Sequence, residues 1–160
     1  MYYHYYQSPM GDIGLTANDS GLTSLTFIDG KKAFIVPEEH TIQPDKFEKV
    51  CLQLDEYFEG SRSEFDVPLA FKGTPFQEKV WRALCEIKQS ETKTYGWLAE
   101  KIKNPKAVRA VGTANGANPI ALIVPCHRVI GQNGKLTGYA GGLALKAKLL
   151  MHEKAQFKAF

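Results

Sequence analysis

A cysteine, a histidine and an arginine follow one another directly after a run of four apolar residues and a proline. The apolar run, 121–124, predicts a buried strand or another core-directed segment, and Pro125 ends it because proline has no N–H and a fixed φ. Cys126 therefore stands at the edge of the core, with a base, His127, and a permanent cation, Arg128, beside it. This setting favours a reactive thiolate. The alternative is a small, buried structural cysteine, which is the common role of a lone cysteine.

A downstream carboxylate completes this chemical set. On a helix predicted over 143–154, Glu153 lies four and eight residues after Leu149 and Leu145, so it shares their apolar face. A carboxylate on that face is costly unless it is paired, and His127 is the natural partner. The alternative is a solvated Glu153 at a frayed helix end.

If Glu153 pairs with His127, the three residues provide a nucleophile (Cys126), a base (His127) and a group that orients the base (Glu153). Neighbouring side chains in an extended chain point apart. We therefore expect His127 to take the thiol proton through a water molecule.

Two short helices with a tight connection precede the cysteine. Thr94 is the predicted N-cap of the first helix, which extends through Ile102. Asn104 is the predicted N-cap of the second, with Pro105 as its first residue and Ala114 near its end. This pattern is typical of a helix-turn-helix, which many DNA-binding proteins use.

The second of these helices carries one long cation, Arg109, among small side chains. The small residues are Ala107, Ala110, Gly112 and Ala114. Such a surface can approach a nucleic-acid groove closely, and its arginine can enter the base stack. The alternative is a tightly packed core helix from which Arg109 extends to solvent.

The composition restricts the function further. The 160 residues are 44% hydrophobic and 23% charged, with a net charge of +3, which is ordinary for a globular protein and permits a polyanionic partner. Three cysteines without zinc-type spacing argue against a disulfide framework and a metal site, and they suit a reducing cytoplasm. No apolar run approaches the ~20 residues of a membrane-spanning helix.

The first part of the chain predicts a small sheet and one helix. Three β-prone runs at 2–7, 13–17 and 22–28 are separated by turn residues and favour antiparallel strands. A helix is predicted over 44–59, with a domain boundary near residue 70. The apolar face of that helix consists of Phe47, Val50, Leu54 and either Tyr57 or Phe58.

The sequence pattern after residue 70 predicts mainly helices. Thr74 and Gln77 form a capping-box pattern, and the helix that they begin is expected to reach about residue 88. The predicted fold class is α+β: an α/β domain at 1–70 with a small antiparallel sheet, and a mainly helical domain at 71–160 with the helix-turn-helix.

Three stretches of sequence resemble the O6-alkylguanine-DNA alkyltransferases, the methylated-DNA–protein-cysteine methyltransferases. They are Asn118-Pro119, the run from Ile123 to Gly131 that contains Pro-Cys-His-Arg, and the run from Gly138 to Gly142. The resemblance extends from Thr74 to Glu153, and over 1–70 it rests on size and layout.

The resemblance implies single, irreversible transfer of the alkyl group of O6-alkylguanine in double-stranded DNA to Cys126, with O4-alkylthymine left open as a second substrate. His127 is implied as the water-mediated base, oriented by Glu153. Asn118 corresponds to an asparagine that braces the active-site turn. Tyr95 corresponds to a tyrosine that rotates the phosphate and gives a proton to the departing guanine.

The resemblance also implies minor-groove binding with base flipping, in which Arg109 fills the gap left by the flipped base. The guanine edge is read at Val129, Tyr139 and Ala140. Further DNA contacts are assigned to Thr94, Asn104, Lys106, Ala107, Ala110 and Arg128. A cytoplasmic monomer without cofactor or metal is expected, with the domain at 1–70 as structural support.

Two alternatives remain at this point. A sensor of alkyl damage would bind the lesion and recruit other factors, and its thiol would be secondary. A cysteine hydrolase of small esters or amides would turn over without DNA. The set of Cys126, His127 and Glu153 argues against the sensor, and the helix-turn-helix with Arg109 argues against the hydrolase.

Overall fold

The computed structural model describes residues 1–28, 36, 39–139 and 142–158. The chain divides into two compact units, Met1–Lys72 and Gly73–Phe160. A mixed α/β fold with a small sheet and five α-helices is present, which confirms the predicted fold class. Within the described residues, no helix is both long and apolar enough to cross a membrane.

The first unit contains a four-stranded sheet in the order β3-β2-β1-β4. Its strands are Tyr2–Ser8 (β1), Gly11–Ala17 (β2), Leu22–Ile28 (β3) and Thr41–Ile42 (β4). The first three form the predicted antiparallel meander, with Tyr2 opposite Ala17 and Asp12 opposite Ile28. The short β4 pairs in parallel with β1, which the sequence pattern did not predict.

One helix covers this sheet. A 3₁₀ turn at Pro44–Phe47 leads into α1, Glu48–Glu59, which ends at Gly60 in a left-handed conformation (φ 90°). Only a residue without Cβ adopts that conformation freely. The predicted apolar face is confirmed, because its members are buried: Phe47, Val50, Leu54 and Tyr57. Cys51, beside that face, is half-buried rather than part of the core.

The second unit begins with α2, Pro75–Leu84, and its predicted capping box is confirmed. The Thr74 hydroxyl accepts from the Gln77 N–H at 3.1 Å, and the Gln77 side chain accepts from the Thr74 N–H at 3.0 Å. The helix ends four residues before the predicted position. After the helix, Ile87 N donates to Leu84 O at 3.0 Å. This three-residue spacing is that of a 3₁₀ turn, and it ends the α-helix.

The helix-turn-helix consists of α3, Tyr95–Lys101, and α4, Val108–Gly116. The Thr94 hydroxyl caps α3 as predicted, accepting from Trp97 N at 3.0 Å. The predicted start of α4 is wrong. Asn104 is not its N-cap, because the Ala107 N–H donates to the Asn104 carbonyl in a separate turn, and α4 starts only at Val108.

Two short strands connect this motif to the cysteine segment. Lys93–Thr94 (β5) pairs in parallel with Val129–Ile130 (β6), so the residue before Tyr95 is hydrogen-bonded into the segment that follows Arg128. The last helix, α5, extends over Leu143–His152, two residues shorter than predicted.

Candidate active site

The apolar run before the cysteine is buried, but it is a turn rather than a strand. Ile120, Leu122 and Val124 are each at most 1% exposed. Val124 N donates to Ile120 O at 3.0 Å, and Leu122 has a positive φ of 71°. A strand cannot contain these features, so the strand alternative is wrong and the core-directed alternative is confirmed.

Asn118 holds this turn closed with its side-chain amide. Its Nδ2 donates to Val124 O at 2.8 Å and to Ile120 O at 3.3 Å, and its Oδ1 accepts from Ile120 N at 3.0 Å. Three bonds from one side chain replace the backbone partners that a strand would provide. The geometry is that of a brace immediately upstream of the cysteine.

Cys126 begins a single turn of 3₁₀ helix that extends over Cys126–Arg128. The chain is therefore not extended here, contrary to our expectation, because the Arg128 N–H bonds back to Pro125 O at 3.0 Å. Cys126 is 6% exposed and His127 is fully buried. The Asn115 side chain, which the sequence reasoning missed, lies beside this turn, with Nδ2 3.5 Å from Cys126 O.

Glu153 joins the histidine and the arginine in a buried charged cluster. Its Oε2 lies 2.8 Å from His127 Nε2, which confirms the pairing expected from the apolar stripe. Arg128 donates two hydrogen bonds to the same carboxylate, from Nε to Oε1 at 2.8 Å and from Nη2 to Oε2 at 3.1 Å. Its Nη1 donates to Ile87 O at 2.6 Å.

Arg128 was assigned to DNA contact, and that assignment is wrong. Its side chain is 7% exposed, and its guanidinium is occupied by the Glu153 carboxylate and the Ile87 carbonyl. A guanidinium held in this way has no free face for a phosphate. The arginine is part of the internal structure of the site.

The electrostatics of the cluster favour a neutral histidine. Burial lowers the pKa of His127 and outweighs the opposing effect of Glu153, while Arg128 and Lys146 lower it further. Burial alone would raise the pKa of Glu153, but His127 and Arg128 hold it well below its usual range. The neutral imidazole can then donate from Nε2 to the carboxylate, which leaves Nδ1 as an acceptor. Nδ1 has no hydrogen-bond partner among the described residues.

A buried lysine, also missed from the sequence, lies near the cysteine. Lys146 is fully buried and donates to Thr137 O at 2.7 Å. Burial lowers its pKa to about 8, although the neighbouring Cys126 opposes that change. Its burial was predictable in the same way as that of Glu153, because Lys146 lies three residues before Leu149 and four before Leu150 and so shares their apolar face.

Two tyrosines assigned from the sequence flank this site. Tyr95, the first residue of α3, is half-buried, and its hydroxyl lies 3.0 Å from Thr137 Oγ1. The Tyr139 hydroxyl is buried without a partner among the described residues. Burial raises the pKa of Tyr139 well above its ordinary value, and Cys126 and Glu153 add to the effect. Val129 is buried in β6. Ala140 lies outside the described residues.

The outer face of α4, together with the turn before it, is exposed and basic. Arg109 and Ala110 on the helix are exposed, as is Lys106 in the turn, and Ala107 at the N-cap is half-buried. The Arg109 side chain makes no hydrogen bond or ion pair with any other described residue. These residues border a shallow groove whose opposite wall is the start of α2, formed by Thr74, Phe76 and Gln77.

The other assigned residues of this region differ in exposure. Asn104 is exposed in the turn before α4, whereas the Thr94 hydroxyl is occupied as the cap of α3. Two of the four small residues on α4 face inward. Ala114 is 2% exposed, and the ring of Tyr95 lies 3.7 Å from the point where a Cβ on residue 112 would stand. Of the other two small residues, Ala110 is exposed and Ala107 is half-buried.

Comparison with known proteins gives full-length matches. Residues 75–155 match the model of the 6-O-methylguanine DNA methyltransferase DNA-binding domain, and residues 1–71 match that of the 6-O-methylguanine DNA methyltransferase ribonuclease-like domain. A methylated-DNA–protein-cysteine methyltransferase of Methanosarcina mazei is 52% identical over 158 residues, which cover 99% of this chain and all of the relative.

Relatives from bacteria and solved structures agree with this match. The Haemophilus influenzae methylated-DNA–protein-cysteine methyltransferase is 44% identical, covering 98% of this chain and 88% of its own. The crystal structure of Mycobacterium tuberculosis OGT in complex with DNA superposes with a TM-score of 0.89 at 47% identity, covering 96% of this chain and 93% of that one.

Proposed function

Because the chain belongs to the 6-O-methylguanine DNA methyltransferase family, we propose that it repairs DNA by transferring the alkyl group of O6-alkylguanine to Cys126. The observation that carries the proposal is the buried cluster in which Glu153 binds both His127 and Arg128, one residue from the cysteine. A protein that only senses lesions has no need of an oriented base beside a thiol.

The transfer is a single displacement. The Cys126 sulfur forms a bond to the alkyl carbon while the carbon–O6 bond breaks, and the electron pair leaves with the guanine. His127 takes the thiol proton at Nδ1 through a water molecule, and Glu153 stabilises the resulting imidazolium. Tyr95 gives a proton to the departing guanine. The thioether has no ready reversal, so each molecule acts once.

The lesion must leave the base stack to reach the cysteine, because Cys126 is only 6% exposed. We assign the outer face of α4 to the minor groove, with Arg109 entering the space of the flipped base. The free side chain of Arg109 and the exposed Lys106 and Ala110 support this role. The groove beside α4 gives the duplex a second contact with the start of α2.

The remaining roles follow the same proposal. Asn118 braces the turn, and Val129, Tyr139 and Ala140 receive the guanine. Residues 71–160 carry DNA binding and alkyl transfer, and residues 1–70 give structural support. Free cysteines suit a reducing compartment, and we propose that the protein acts in the cytoplasm as a monomer without a cofactor.

The test is the intact mass of the protein after incubation with a duplex that contains one O6-methylguanine, followed by peptide mapping. We expect a gain of one methylene, about 14 daltons, located on the nucleophilic sulfur. C126S should gain nothing, whereas C51S and C85S, which remove the other two cysteines, should react like the wild type. Tight lesion binding without a mass change would refute transfer and favour a damage sensor.

A further inference from the structure

The hydroxyl of Thr137 has no role in the function proposed above, yet it contacts a residue that does. Thr137 Oγ1 lies 3.0 Å from the Tyr95 hydroxyl oxygen, and either atom can be the donor. The two residues are 42 positions apart, so the contact depends on the folded arrangement of α3 and the loop before α5. Tyr95, the assigned proton donor, is thus in hydrogen-bond contact with a side chain from another part of the chain.

The observed rotamer of Thr137 directs its hydroxyl toward Tyr95, at 3.0 Å from the tyrosine oxygen. Its methyl carbon, Cγ2, points to the other side, toward Gly131, and lies 3.5 Å from the point where a Cβ on residue 131 would stand. A β-branched side chain has few χ1 rotamers, so this placement of the methyl group and that of the hydroxyl go together.

The backbone of Thr137 is fixed on both sides. The buried Lys146 ammonium donates to the Thr137 carbonyl at 2.7 Å. Leu136, the preceding residue, is 4% exposed and packs in a cluster with Ile130 and Leu150. Thr137 is therefore a rigid support rather than part of a loose loop, although its own side chain is open to solvent.

We propose that Thr137 is a positioning residue for alkyl transfer, donating a hydrogen bond to the Tyr95 oxygen so that the tyrosine proton points to the guanine. A hydroxyl has one donor hydrogen and two acceptor lone pairs, so Tyr95 can accept from Thr137 while it donates to the base. The inference rests on the proposed function, in which Tyr95 protonates the leaving group.

The hydrogen bond matters most in the transition state. As the carbon–O6 bond breaks, the guanine gains the electron pair and takes the proton of Tyr95. The tyrosine oxygen then carries negative charge, which the Thr137 hydroxyl stabilises until solvent returns a proton. Bound DNA excludes water from this exposed contact and strengthens it. The free protein gains little from the same bond.

The experiment measures single-turnover methyl transfer and DNA affinity for five proteins: wild type, T137V, T137S, Y95F and Y95F/T137V. T137V keeps the shape of the side chain and removes the hydroxyl, and T137S keeps the hydroxyl. We expect T137V to lower the transfer rate at saturating protein about fivefold, as for the loss of one hydrogen bond. T137S should recover most of the rate. The thermal midpoint and the DNA dissociation constant of T137V should stay near those of the wild type.

The double variant separates positioning from a merely structural effect. If Thr137 acts through Tyr95, Y95F/T137V transfers no more slowly than Y95F. A fivefold effect of T137V that persists in the Y95F background would overturn the proposal, as would a T137S rate as low as that of T137V, or a wild-type rate for T137V or Y95F. A wild-type protein that transfers no methyl group would overturn the proposed function, and the Thr137 proposal with it.

Discussion

Replacing Arg128 by methionine tests the charged cluster most directly, because it removes one partner of a buried ion pair and preserves most of the side-chain volume. Arg128 makes two contacts of 2.8 and 3.1 Å with the Glu153 carboxylate and one of 2.6 Å with Ile87 O. Breaking a buried pair from one side costs roughly 3–5 kcal/mol of unfolding free energy. We therefore expect R128M to lose about 4 kcal/mol at pH 8.

The loss should shrink at lower pH, and the sign follows from His127. In the wild type, the pKa of His127 is lowered from 6.5, so stability is complete above pH 6.5 and falls below it. In R128M, the loss of the guanidinium removes one of the charges that lower the pKa of His127, so that pKa lies higher than in the wild type. Protonation of His127 therefore costs R128M less stability than it costs the wild type, and the difference between the two proteins should be smaller at pH 5.5 than at pH 8.

Urea unfolding followed by tryptophan fluorescence measures this difference within the relevant unit. Both tryptophans of the chain, Trp81 and Trp97, lie in the unit Gly73–Phe160. R109M is the matched control, because the exposed Arg109 side chain has no hydrogen-bond or ion-pair partner in the part of the chain that the structure describes, and it should change the unfolding free energy by less than about 0.5 kcal/mol at either pH. A loss below about 1 kcal/mol for R128M, or an equal loss at pH 5.5 and 8, would refute the reasoning.

Three further substitutions test other parts of the site. K146M should slow methyl transfer about tenfold at pH 7 by removing a cation near the thiol, and the gap to the wild type should narrow above pH 8, because the pKa of Lys146 is about 8; equal gaps at pH 7 and 9 would contradict this. N118A should cost about 1–3 kcal/mol in urea unfolding, because buried carbonyls lose their donor, and an unchanged midpoint would show that Asn118 is not a brace. G73A should cost about 1–3 kcal/mol, since a Cβ there would lie 2.5 Å from the Trp81 ring, whereas G116A, with nothing within 4 Å of the added Cβ, is the control and should not lower the unfolding free energy.

Local patterns predicted much of this molecule correctly. The capping box at Thr74 and the cap at Thr94 involve residues three apart, so their geometry is fixed within one helical turn. The pairing of Glu153 with His127 was also predictable, although 26 residues separate them. A carboxylate on an apolar stripe requires a partner, and few polar residues are candidates.

Other features depend on contacts that no local pattern encodes. Arg128 was assigned to DNA contact, because nothing in the neighbouring sequence shows that its guanidinium is bound by the Glu153 carboxylate, 25 residues away. The start of α4 shifted because the Asn104 carbonyl accepts from Ala107 in its own turn. The apolar run 121–124 became a turn because Asn118 supplies side-chain hydrogen bonds in place of a strand ladder. The arginine pairing and the braced turn are tertiary or side-chain interactions that override local propensity, whereas the start of α4 is set by a backbone turn within four residues.

The parallel pairing of β5 with β6 has a consequence for how the protein folds. It joins Lys93 to Val129 and Thr94 to Ile130, and the Arg128–Ile87 bond spans 41 residues. Such distant contacts require long loops to close before they return any free energy, so we expect them to form late on the folding pathway. Interactions that are absent from the folding transition state govern the unfolding rate. The contacts that assemble the cysteine site are therefore expected to set how long the folded protein persists once it has formed.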